Sequence, residues 1–176
     1  MRLTRLVLAA LLAVATLPAL AQTPTAEEMP HKPIPATTSL TLVLNGKSTT
    51  LTLAQIAALP HKSVSVFNAH EKKNETYSGV PLAALLTANG APFNHQTQHD
   101  MLNSYITIKG TDGYTVVYST VEVYTPDYHT GDVIIADTRD GQPITTDGLR
   151  MVSTEDGHPM RWLHSVTTIT LTKAGY

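Results

Sequence analysis

Residues 39–53 read SLTLVLNGKSTTLTL, and that stretch decides the class of fold. Apolar and polar residues alternate from Ser39 to Leu44 and again from Thr49 to Leu53, the period-two pattern of strands with one buried face. Between them stands Asn45-Gly46, the dipeptide that best tolerates the positive φ of a tight hairpin turn. Thr52 is placed to cap a short helix running through Ala58, which Pro60 stops. The opening of the packed region therefore predicts a hairpin leading into a helix, the signature of an α+β domain.

The same signals continue outward. Val64 to Phe67 alternates as a strand, and the polar run His70 to Thr76 is expected to be loop. Pro81 suits the first turn of a helix whose Leu82, Leu85 and Leu86 share one face, with Asn89-Gly90 as its stop. Tyr105 to Ile108 and Tyr114 to Tyr118 flank Gly110-Thr111-Asp112-Gly113 as a second hairpin, after which Ser119 can cap one helical turn before Pro126. Val133 to Ala136, Leu149 to Val152 and Val166 to Leu171 read as further strands, separated by Asp-Gly turns at 140, 147 and 156.

At the other end, Arg2 and Arg5 precede an apolar run from Leu6 to Leu17, and Ala19-Leu20-Ala21 has the small-residue pattern of a signal-peptidase site. The run is shorter than the roughly 20 residues a spanning helix needs. The expectation is a signal peptide over 1–21 cut after Ala21, a flexible tether over 22–38, and one soluble domain over 39–176 in the periplasm or outside the cell. The segment takes two of the twelve Lys+Arg and none of the fourteen Asp+Glu, leaving a mildly acidic domain without a basic stripe, a poor match for nucleic acid. With no cysteine in the chain, disulfides, thiolate metal sites and a nucleophilic thiol are excluded.

Tyr77-Ser78-Gly79-Val80-Pro81-Leu82 followed by Leu85-Leu86 and Gly90, then Thr111-Asp112-Gly113-Tyr114, then Asp140-Gly141-Gln142-Pro143, resemble in order and spacing the oxidoreductase molybdopterin-binding domain of sulfite oxidase-like proteins. Gly148-Leu149-Arg150-Met151-Val152 and Arg161-Trp162-Leu163 look like that family's closing segment. The resemblance runs from about Ser39 to Leu171. It implies a mixed twisted β-sheet with a few short helices, and a groove of strand-end loops holding a pyranopterin. In catalytic members a cysteine just after the strand equivalent to Val64 to Phe67 binds molybdenum, whereas this chain reads Asn68-Ala69-His70 there. Neither an amide nor an imidazole reproduces soft sulfur ligation. The resemblance thus points to the cysteine-lacking exported subgroup, which binds a pterin or molybdopterin-like ligand without catalysis, as sensor or carrier, in some cases with a periplasmic or membrane-protein partner. The alternative is a molybdopterin-dependent oxidoreductase with non-thiolate ligation or a partner subunit.

A pterin offers a flat face and an edge of donors and acceptors, so its site needs an aromatic wall, polar edge-readers and cations for any phosphate. Asn68 and His70 stand where the thiolate would be and can read a heterocycle's edge; the alternative is a solvated loop. Arg150 and Arg161 can meet a carbonyl or phosphate bidentately, in which case changing either to Ala should weaken pterin binding and leave the melting temperature nearly unchanged, or form surface ion pairs. Asp112 can accept from the amino edge or simply serve its turn, and Tyr114 beside it can line the groove or pack. Trp162 can stack on the ring or belong to the core. His95 and His99, with Asp100, have helical ligand spacing but no firm third ligand.

Overall fold

The computed structural model describes residues 33–69, 71–124 and 131–175, apart from the side chain of His95. Two sheets and a few short helices make up this part of the chain. The first hairpin is β1 (Ser39–Leu44) and β2 (Lys47–Thr52), with Asn45 at φ 51° and Gly46 at φ 76° as the turn requires. Thr52 then opens α1 (Leu53–Ala57) with a capping box: its hydroxyl accepts from the Gln55 amide, and the Gln55 side chain accepts from the Thr52 amide at 2.8 Å.

β3 (Lys62–Asn68) and β4 (Lys73–Pro81) form the second hairpin. Here the expectation of a loop over His70 to Thr76 is corrected, because Lys73 to Thr76 is strand paired with β3. The sequence there is polar, yet Glu75 and Tyr77 alternate inward opposite Val66 and Val64. The motif helix is α2 (Leu82–Ala88), which buries Leu82, Leu85 and Leu86 and ends at Gly90 with φ 94°. A 3-10 turn over His95–Thr97 leads into α3 (Gln98–Leu102). β5 (Ser104–Gly110) and β6 (Thr115–Ser119) form the third hairpin. Ser119 then caps α4 (Thr120–Tyr124): its hydroxyl accepts from the Glu122 amide at 3.3 Å and its own amide donates to Glu122 Oε2 at 2.7 Å.

The C-terminal half supplies β7 (Val133–Arg139), a two-residue β8 (Gln142–Pro143), β9 (Arg150–Ser153) and β10 (Val166–Lys173). In place of the one mixed sheet implied by resemblance there are two. The first runs β2-β1-β10-β5-β6, with β1 and β10 parallel and the other pairs antiparallel. The second runs β3-β4-β7, with β8 and β9 both on the far edge of β7 and all pairs antiparallel.

The main core is shared by both sheets and the helices: Leu40 and Leu42, Ile106 and Ile108, and Val80, Ile135 and Met151 all fall in one cluster. β7 alternates between two cores. Val133 and Ile135 point into the main one, while Ile134 and Ala136 face a smaller cluster with Val64, Val66, Tyr77, Val152 and Trp162. Gly79 allows this sheet to close, because a Cβ there would meet the carbonyl oxygen of Ile135 and the Cα of Ala136. Packing also begins earlier than Ser39. Thr37 is buried, its amide donating to the Asp147 carbonyl and its hydroxyl to that of Val166, both at 2.8 Å, so the last residues of the expected tether lie against the domain.

Candidate ligand site

The face of the second sheet that carries the smaller core also gathers a set of polar groups. Register places Asn68, Val66 and Val64 of β3 opposite Lys73, Glu75 and Tyr77 of β4, all on one face. On β7 the pairing slips, Ser78 facing Thr138 and Gly79 facing Ala136, so Asp137 is an extra residue. That bulge puts Arg139 and Ala136, three apart, on the same face as Tyr77. Ala136 in turn pairs with Arg150, and Arg150 bridges to His164. The row Gly79, Ala136, Arg150 carries almost no side-chain bulk until the guanidinium, which reaches back across it.

Tyr77 is the hub. Fully buried, its hydroxyl donates to Glu75 Oε2 at 2.8 Å and accepts from Arg150 Nη1 at 3.1 Å. Glu75, 1% exposed, also accepts from Asn68 Nδ2 at 3.0 Å on the same oxygen. Arg150 Nη2 contacts His164 Nε2 at 2.5 Å, and since a guanidinium only donates, that ring nitrogen accepts. The ring proton then sits on Nδ1, 3.0 Å from Asp147 Oδ2. The edge of Trp162 meets Tyr77 with ring centroids 6.2 Å apart.

Electrostatics keep both carboxylates ionised. Burial pushes Glu75 up, but the hydrogen bonds from Asn68 and Tyr77 and the charges of Arg139 and Lys73 outweigh it and hold the group below its ordinary range. Burial likewise opposes ionisation of Asp147, and His164, Arg150 and Arg139 overcome it. Burial raises the Tyr77 phenol, helped by its bond to Glu75 and opposed by Arg150. Three buried polar atoms of this face have no hydrogen-bond partner among the described residues: Glu75 Oε1, Arg150 Nε and Trp162 Nε1. Native folds rarely leave such atoms unmet, and each asks for an explanation.

Of the site residues expected from the sequence, Asn68, Arg150 and Trp162 come together here, linked through Glu75 and Tyr77. His70 lies outside the described residues. Of its two expected roles, Arg150 does not take the surface ion pair, its side chain being 13% exposed and bound into the network. Arg161 is engaged elsewhere: it pairs with Asp156 and Glu122 and lies 4.2 Å over the Tyr118 ring. Asp112 serves its turn, accepting from the Tyr114 amide at 2.9 Å, and the Tyr114 hydroxyl donates to the Met160 carbonyl at 3.2 Å. Asp100 pairs with Lys173 at 2.7 Å, and among the described residues no three His, Asp or Glu side chains are placed to hold a metal. Sequence reasoning misses Glu75, Tyr77, Asp147, Arg139 and His164 as members of the site. The alternation Glu75-x-Tyr77 is the signal that could have found the first two, hidden in the run EKKNET.

An open cleft of about 440 Å³ is lined by Ala69, His158, Pro159 and Met160. Its Ala69 directly follows Asn68, the last residue of β3. No helix among the described residues is long and apolar enough to cross a membrane.

No family model and no curated protein matches the chain. Among solved structures, the sulfane dehydrogenase SoxCD from Paracoccus pantotrophus is similar, with a TM-score of 0.57 and 15% identity over 76% of this chain and 37% of that one. The chain thus spans little more than a third of that neighbour, and at this identity the likeness is a distant one of fold alone.

Proposed function

We propose that this chain is an exported, non-catalytic pterin-binding domain, acting as sensor or carrier and passing its state to a periplasmic or membrane-protein partner. The observation that carries the reading is the trio of buried, unpaired polar atoms on Glu75, Arg150 and Trp162, on the sheet face that begins at Asn68. One acceptor and two donors beside an aromatic pair match the needs of a flat heterocycle with a polar edge. The sequence segments resembling the molybdopterin-binding domain, and the fold likeness to a sulfane dehydrogenase, support the same ligand class.

Molybdenum itself does not suit the donors present. Asn68, in place of the thiolate, turns its amide nitrogen to Glu75 and its amide oxygen to the Glu71 amide at 3.2 Å. The chain has no cysteine sulfur to set the metal's electronics. The test is mass spectrometry of small molecules released from natively exported protein, together with elemental analysis. A pterin without molybdenum is expected. Near-stoichiometric molybdenum, or a protein that neither carries a pterin nor melts higher with one added, overturns the reading.

A further inference from the structure

We infer that Glu75 is the residue that selects the ligand: its Oε1 accepts hydrogens from the ring N–H and exocyclic amino group of a 2-amino-4-oxopteridine, so the site takes pterins and rejects 2,4-dioxopteridines. The inference rests on the pterin-binding reading above. The two oxygens of this carboxylate are used unequally. Oε2 already accepts from Tyr77 and Asn68, while Oε1 is buried and accepts from no group among the described residues. The nearest cations to it, Lys73 Nζ at 3.7 Å and Arg139 Nη1 at 4.0 Å, keep the group charged but stand beyond hydrogen-bond reach. An ionised carboxylate oxygen has lone pairs for two donors, and here both remain unspent.

Access does not require the sheet to open. Lys73 and Arg139 are about half exposed, at 53% and 47%; charge holds Lys73, and charge with a hydrogen bond to Tyr77 holds Arg139, and long exposed side chains so held can swing aside. A pterin then presents two adjacent N–H donors to one acceptor atom, whereas a dioxopteridine replaces the amino group with a carbonyl and sets lone pairs against the carboxylate. Tyr77 and Asn68 meanwhile fix the Oε2 side, so the carboxylate cannot rotate to relieve that clash. Discrimination follows from leaving a buried charge unpaired with the wrong ligand.

The experiment titrates the full mature chain, wild type and Glu75→Gln, with 6-hydroxymethylpterin and with its 2,4-dioxo counterpart, followed by pteridine fluorescence. Wild type should bind the pterin roughly ten- to hundred-fold more tightly, the loss expected for one hydrogen bond to a charged group. Glu75→Gln should bring the two affinities within a few-fold of each other. If wild type binds both pteridines equally, or Glu75→Gln keeps the preference, the inference is overturned while pterin binding stands. If wild type binds neither, the reading beneath it fails as well. The wild-type ratio decides the matter even where the variant folds poorly.

Discussion

Replacing Tyr77 by Phe removes one oxygen from the centre of a buried network and nothing else. The phenol is fully buried, donates to a charged Glu75 and accepts from a charged Arg150. Hydrogen bonds to charged groups contribute about 1.5–3 kcal/mol each, and some of the loss is recovered as the orphaned groups relax, so the change should cost about 2–4 kcal/mol. At roughly 3–5 °C per kcal/mol for a domain of this size, the melting temperature should fall by roughly 10 °C. Tyr105→Phe, at a tyrosine 37% exposed, is the control and should move it little. The cost should also depend on pH with a definite sign. The folded-state pKa of Glu75 is lowered, so its contribution is present above the unfolded carboxylate's pKa and is lost as pH falls through the folded value. Below about pH 4 the gap between wild type and Tyr77→Phe should therefore narrow. Melting curves by circular dichroism, run at neutral pH and at about pH 3.5, check both statements. A fall under about 2 °C at neutral pH, well short of the expected loss, or a gap that ignores pH, would refute the view that this hydroxyl couples two charges.

Three further substitutions probe the scaffold. His61 donates from Nδ1 to the Leu59 carbonyl at 2.6 Å and from Nε2 to Asp137 at 3.1 Å, and although burial pulls its pKa down, these partners raise it above the ordinary value. Its contribution is then full below about pH 6.5 and lost as pH rises through the raised folded-state value, so wild type should lose its stability advantage over His61→Gln as pH is raised above about 6.5, read by thermal melts. Gly79→Ala sets a Cβ against the backbone of Ile135 and Ala136, neither of which can retreat without parting β4 from β7, and should cost more than about 3 kcal/mol; an unchanged urea midpoint would contradict that close approach. Arg161→Ala removes a cation stacked on Tyr118 and paired with Asp156 and Glu122, but its side chain is 38% exposed, so solvent screening limits the loss to about 1 kcal/mol. The same variant should bind a pterin as wild type does, since Arg161 is engaged away from the Tyr77 network; fluorescence titration checks this.

The strands, hairpins and short helices are legible in the sequence because they rest on local rules. Alternation over Ser39–Leu44, the Asn45-Gly46 turn, the Thr52 cap and the α2 stripe of Leu82, Leu85 and Leu86 each need only a few neighbouring residues to be recognised. Absence of cysteine likewise removes whole classes of chemistry on composition alone. Asn68, Arg150 and Trp162 are reached through resemblance, and they do converge. Tertiary structure alone decides what they converge on. Glu75 reads as a surface residue in a polar run until pairing with Val66 turns it inward, and Arg139 joins it only because an extra residue at Asp137 reverses the face of β7. Arg150 and Arg161, alike in sequence, part company in the same way, one held by a buried phenol and the other by Asp156 and Glu122. Periodicity specifies which residues can share a face, but which faces meet depends on register and bulges between strands far apart in the chain, and no local pattern carries that information.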